Sequence, residues 1–72
     1  MTLIRYQGTR RDGTATTGLV DTADLVGFTA TRYRWGWQKL EAIHEGRVVA
    51  CVGPARGGRG RTWWAIDLSE EN

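Results

Sequence analysis

A chain of 72 residues with one histidine, His44, and one cysteine, Cys51, has little from which to assemble catalysis. A nucleophile needs a base within hydrogen-bond reach, and a zinc site needs several Cys or His ligands at short spacing. Pairing the strands around Glu45-Gly46 through a two-residue turn sets His44 opposite Arg47 and Cys51 opposite Leu40, four residues further along the ladder. The acids stand beside turns (Asp12, Glu45), at a helix cap (Asp21, Asp24) or in the tail. No catalytic residue, metal or cofactor is therefore expected, and the reading is a binding protein, not an enzyme. Cys51 lies in the apolar run Val48-Val49-Ala50-Cys51-Val52, where a thiol serves as a small core hydrophobe, and a lone cysteine forms no internal disulfide.

The segment Gly53-Pro54-Ala55-Arg56-Gly57-Gly58-Arg59-Gly60-Arg61 has several readings. As a phosphate loop it is incomplete, because it lacks the Gly-Lys-Ser/Thr ending and precedes a strand instead of a helix. As an arginine-glycine segment beside Trp63 it has the parts of a single-strand nucleic-acid site, namely cations for phosphates and an aromatic platform for bases. Arg56, Arg59, Arg61 and Trp63 are the residues of that reading. The plain alternative is a flexible loop kept soluble by its arginines, and an acidic protein partner is a third option. Nine of the ten basic residues are arginine, a bias that suits phosphate forks and equally follows from a GC-rich genome.

The elements that would carry these groups are marked by turn signals. Leu3 to Gly8 and Thr14 to Asp21 flank Asp12-Gly13 as a hairpin. Asp21 or Thr22 caps a helix from about Ala23 to Trp35, ended by Gly36 in a left-handed conformation. Trp37 to His44 and Arg47 to Gly53 form a second hairpin around Glu45-Gly46, and Thr62 to Leu68 a last strand. Residues 69–72 read as a frayed acidic tail. The expected fold is α+β in the order β-β-α-β-β-β, one helix on a mainly antiparallel sheet, as a single domain over residues 1–72.

Four tryptophans cannot all be central in so small a core. On the helix, Val26, Thr29, Ala30 and Tyr33 gather on one side, while Phe28 and Trp35 fall nearly opposite, with Arg32 between. On the sheet, Leu40, Ala42, Val49 and Cys51 share one face, and Ile43, Val48, Ala50 and Val52 the other, which Trp63 joins. Two surplus surfaces follow, Ile43-Val48-Val52-Trp63 and Phe28-Arg32-Trp35, unless the first hairpin or the arginine loop folds over one of them. Exposed apolar surface with aromatic and arginine content is what protein interfaces use, so the leading expectation is a protein-interaction module, with a protein partner or self-association as a homodimer. Nucleic-acid binding through the arginine loop is the alternative.

The helix ending in Gly36-Trp37, the turn Glu45-Gly46, the strand end Val52-Gly53-Pro54 and Arg61-Thr62-Trp63-Trp64-Ala65 together resemble small uncharacterised proteins encoded by actinobacteria and their phages. That resemblance spans Asp21 to Ala65 and supplies no function of its own; for a chain of phage origin, a modulator of a host protein would fit. Tyr6, Asp12-Gly13, Gly18 and the helix up to Gly36 are also similar to the β-β-α-β unit that opens type II secretion inner-membrane proteins, in local topology alone. The N-terminus Met1-Thr2-Leu3-Ile4-Arg5 lacks a basic stretch followed by an apolar run, and no ~18-residue apolar span follows, so a cytoplasmic protein without membrane partners is expected.

Overall fold

Two tight turns set the frame of the sheet. Gly13 adopts φ 90° and its N–H donates to the Arg10 carbonyl at 3.0 Å, while the Asp12 carboxylate accepts from the Thr14 N–H at 2.9 Å. Glu45 and Gly46 both take positive φ, 51° and 78°, which gives the turn a twist matching that of the strands it joins. In the computed structural model, which describes residues 1–68, these turns close β1 (Leu3–Thr9) on β2 (Ala15–Asp21) and β3 (Lys39–His44) on β4 (Arg47–Pro54). A 3-10 turn, Thr22–Asp24, leads into α1 (Leu25–Arg34), and β5 (Arg61–Ala65) closes the chain's sheet. The strand order is β2-β1-β3-β4-β5, antiparallel at every pair, with the helix on one face. The fold is thus the α+β arrangement in the expected order. The expected acidic tail lies outside the described residues.

The expected helix start at Ala23 is instead a 3-10 turn capped by Asp21, whose carboxylate accepts from the Ala23 N–H at 3.0 Å. α1 begins only at Leu25, where Asp24 makes no capping bond, and beyond Arg34 the chain turns through Gly36 at φ 89°. The Gly36 N–H donates to the Tyr33 carbonyl and the Trp37 N–H to the Arg32 carbonyl, both at 3.1 Å. These two bonds form a Schellman motif, which satisfies carbonyls the helix would otherwise leave unpaired. Leu25 is fully buried and defines the centre of the sheet-facing stripe, with Thr29 beside it donating its hydroxyl to the Leu25 carbonyl at 2.8 Å. Phe28 and Tyr33 flank that stripe at about 60° and 80° from Leu25 at 100° per residue, so both pack on the core. This corrects the expected opposition of Phe28 to Tyr33, and Val26 turns out to be an exposed residue.

The helix packs mainly over β4 and β5, so the β1–β2 side of that face is covered by side chains of its own. Tyr6 lies across Gly18 on β2, where a Cβ would meet its ring and hydroxyl within 3.0 Å, and stacks against Phe28 at 4.8 Å between ring centroids. Trp37 lies over Gly8, where a Cβ would stand 2.6 Å from the Lys39 carbonyl oxygen and 2.9 Å from the indole. The two glycines make room for two aromatic lids.

A bulge decides which residues enter the core. Ile43 pairs with Val48 but Ala42 pairs with Ala50, leaving Val49 as the extra residue on β4. Beyond Val49 the alternation of β4 is reversed relative to a regular ladder. Leu40 and Ala42 therefore share the helix face with Ala50 and Val52, while Cys51 crosses to the other face opposite Glu41. The expected grouping of Cys51 with Leu40 and of Val52 with Ile43 is overturned by this one residue.

Candidate interaction surfaces

The open face of the sheet follows from these registers. Residues that alternate with the buried Ile4, Val20, Leu40, Ala42, Ala50 and Val52 must point away from the helix. Of these, Leu19 is 61% exposed, Leu3 53%, Trp64 46%, Ile66 42%, and Ile43 and Val48 37% each. They occupy the end of the face nearest the β3–β4 turn and the edge formed by β5. The other end is concave, a hollow of about 570 Å³ lined by residues that include Gln7, Thr17, Glu41, Cys51 and Gly53. Gln7 donates to the Glu41 carboxylate there at 3.4 Å. Arg5 and Lys39 balance Asp21 and Glu41 across the face as a whole.

Ile43 and Val48 stand on this surface, as the sequence indicates, but Val52 and Trp63 do not. Val52 is 1% exposed, and Trp63 packs with it, Trp37 and Leu40 on the helix side. The pair stays together because β5 reads its register from β4, and both cross over with the bulge. Trp64, opposite Cys51, takes the position expected of Trp63. Leu68 is buried: the Ile66 N–H still donates to the Val49 carbonyl at 2.9 Å, but the chain departs from the strand beyond it, whereas a continuous strand would keep Leu68 on the side of Trp64 and Ile66.

The second expected surface is partly dismantled and partly confirmed. Phe28 belongs to the core flank, yet Trp35 is 58% exposed, and Arg32 lies between them with its guanidinium 3.9 Å from the Phe28 ring centroid and 4.5 Å from that of Trp35. Trp37 lies 5.8 Å away on the same cation. The Arg32 Nε–H is buried and makes no hydrogen bond, so this guanidinium is held by ring faces.

The arginine loop separates into a fixed and a free part. Arg61 donates from Nη1 to the Trp37 carbonyl at 2.9 Å and to the Tyr33 carbonyl at 3.1 Å, lies over the Tyr33 ring, and its own carbonyl accepts from the Tyr33 hydroxyl at 3.3 Å. It ties β5 to the helix end. Arg56 and Arg59 remain exposed on a loop whose Gly57, Gly58 and Gly60 all take positive φ. The expected constellation of Arg56, Arg59 and Arg61 around an available Trp63 is therefore not assembled, since Arg61 is committed to carbonyls and Trp63 faces the core.

Antiparallel pairing also gathers charge. The β1–β2 turn, the helix C-terminus, the start of β3 and the β4–β5 loop lie at one end of the molecule, because Thr9 pairs with Lys39, Gln38 N–H donates to the Thr9 carbonyl, and Pro54 pairs with Arg61. That end holds Arg10 and Arg11, Arg32 and Arg34, Lys39, and Arg56, Arg59 and Arg61, eight of the ten basic residues in the chain. Among the described residues its only carboxylate is Asp12, held below the usual range first by the Thr14 hydroxyl and N–H and further by Arg10. Asp21, Asp24 and Glu45 lie at the opposite end. A net charge of +2 conceals this polarity.

His44 lies beside the β3–β4 turn with Nε2 3.7 Å from the Glu45 carboxylate, and Cys51 is on the open face. Burial, and then the Glu41 carboxylate, push the Cys51 thiol up from its ordinary value. Among the described residues no three His, Cys, Asp or Glu side chains gather as a metal site would require, and no helix is long and apolar enough to cross a membrane. No protein-family model, curated protein or solved structure matches the chain.

Leu3, Leu19, Trp64 and Ile66 are the surface residues that sequence reasoning passed over, as are Arg10 and Arg11. Alternation along β1 and β2 points to Leu3 and Leu19 once Ile4 and Val20 are known to be buried. Arg10 and Arg11 become neighbours of Trp35 only when the hairpin and the helix end meet.

Proposed function

We propose that the chain is a non-catalytic association domain whose partner is a second copy of itself, docked through the open sheet face. The observation that carries this reading is the set of half-exposed Leu3, Leu19, Ile43, Val48, Trp64 and Ile66 on one face of one sheet. Exposed apolar surface of this kind, interrupted here by Arg5 between Leu19 and Ile43, marks interaction sites. Five strands, six residues deep, span roughly 24 by 20 Å at the usual strand spacing and rise. Side-chain relief brings that area toward the ~800 Å² per partner of a standard interface.

A second copy suits the charges of this face. Arg5 and Lys39 match Asp21 and Glu41 in number, so two such faces do not repel one another. If the strands of the two copies run in opposite senses, the basic end of each lies over the acidic end of the other, which favours the pairing electrostatically. A small domain whose lone cysteine forms no internal disulfide also gains from association the burial its own core lacks.

Sedimentation over a range of concentrations tests the proposal. The wild type is expected to pass from monomer to dimer. Val48→Glu combined with Trp64→Glu should remain monomeric with an unchanged far-UV circular dichroism spectrum. A wild type that sediments as a monomer at every concentration, or a dimer indifferent to the double substitution, would overturn it.

A further inference from the structure

We infer that the basic end of the molecule is a binding site for single-stranded nucleic acid, with a base stacked on Trp35 and phosphates held by the surrounding arginines. The site is separate from the open sheet face, because Trp35 belongs to the helix layer, and it is not the arginine loop with Trp63 that the sequence suggests.

Three independent observations converge there. The first is a concavity of about 400 Å³ lined by Arg10, Arg11, Asp12, Trp35 and Trp37. The second is the state of the Trp35 indole, which is 58% exposed yet anchored by the Arg32 guanidinium 4.5 Å from its ring centroid. An indole fixed from one side and open to solvent is a preformed stacking platform, so little side-chain entropy is lost on binding. The third is the gathering of eight of the ten basic residues at this end against the single carboxylate of Asp12 among the described residues. A cationic patch of this density around an aromatic face is the electrostatic footprint of a nucleic-acid site.

The cations divide by availability. Arg61 and Arg32 are engaged, the one with carbonyls and the other with rings. Arg10 neighbours Asp12. Arg11 reaches across Gly36, where a Cβ would stand 3.0 Å from its Cδ, which sets it beside Trp35 at the mouth of the concavity. Arg34, on the last turn of the helix, is exposed, as are Arg56 and Arg59, while Lys39 belongs to the open sheet face. A single strand lying across the helix end can therefore place one base on Trp35 and successive phosphates against Arg11, Arg34 and the loop. A duplex buries its base faces and cannot use the indole, so the preference is for single strands.

Fluorescence anisotropy of a fluorescein-labelled twelve-residue oligo(dT), at two salt concentrations, tests this with the full chain. Binding should weaken steeply as salt rises, because neutralised phosphates release counterions. Trp35→Ala should lower affinity about 5- to 150-fold, the range for removal of one stacked base. Arg11→Gln should reduce the salt slope by about one, whereas Arg47→Gln, at the far end, should change neither quantity. Circular dichroism on each variant separates loss of the site from loss of the fold, and Trp35→Phe, which keeps a stacking face, should restore most of the affinity. No anisotropy change at low salt would overturn the inference. So would binding unaffected by Trp35→Ala, equal affinity for the corresponding duplex, or complete displacement by an acidic peptide of equal charge.

Discussion

The two faces of the sheet carry comparable numbers of aliphatic side chains, yet one is closed and the other open. On the helix side, Leu40, Ala42, Ala50 and Val52 are at most 1% exposed, sealed by Leu25, Phe28, Tyr6 and Trp37. Across the same sheet, Ile43, Val48, Leu19 and Trp64 have no covering layer among the described residues. One helix of ten residues can roof only part of one face, and its shortfall is made up by aromatic residues lying over Gly8 and Gly18. Apolar content by itself therefore does not say what is core. The lid decides.

Substitutions matched across the sheet test this difference most severely. Leu40→Ala should destabilise the fold by about 2–5 kcal/mol in urea denaturation, the cost of an unfilled cavity in a closed core. Leu19→Ala, measured at concentrations where the chain is monomeric, should stay within about 0.5 kcal/mol. A large loss at Leu19 in the monomer would show that the open face has a lid after all. The same contrast applies to the arginines at the basic end. Arg61→Ala should cost about 1 kcal/mol, because it releases the Trp37 and Tyr33 carbonyls from a partly exposed guanidinium, while Arg59→Ala should be near neutral.

Smaller effects report the local character of the open face. The Cys51 thiol is held up by burial and by Glu41, so at neutral pH it should be alkylated more slowly than an unstructured thiol, and Glu41→Gln should accelerate the reaction. A raised folded pKa makes its stabilising contribution complete below the ordinary value of 9.0, and it is lost as pH climbs through the higher folded value. Asp12 has the opposite sign. Its contribution is present above the ordinary carboxyl value of 3.8 and disappears as pH falls through the lowered folded value, so Thr14→Ala should move the midpoint of the Asp12 carboxyl titration, followed by NMR, back toward 3.8.

Much of the architecture is legible in local chemistry. Asp12-Gly13, Glu45-Gly46, Asp21 and Gly36 each announce a backbone conformation that few other residues adopt cheaply, and the turns and caps stand where those residues do. The candidate surfaces are less legible, because they depend on which face of a strand points inward. That assignment reverses with a single unpaired residue. Val49 is such a residue, and nothing in Val48-Val49-Ala50-Cys51-Val52 distinguishes it, since every member of the run is small or β-branched. Phe28 was equally ambiguous until Leu25 fixed the centre of the helix stripe.

The sequence by itself determined the order and type of the elements, because caps, turns and strand propensities act over a few neighbouring residues. It also determined that the chain holds more large apolar side chains than one small core can enclose. Only the tertiary structure decided that Trp64 and not Trp63 faces outward, and that basic residues scattered from Arg10 to Arg61 meet around Trp35. Register and the meeting of distant chain segments are set by long-range pairing, in which the energy of a residue depends on partners thirty or more positions away.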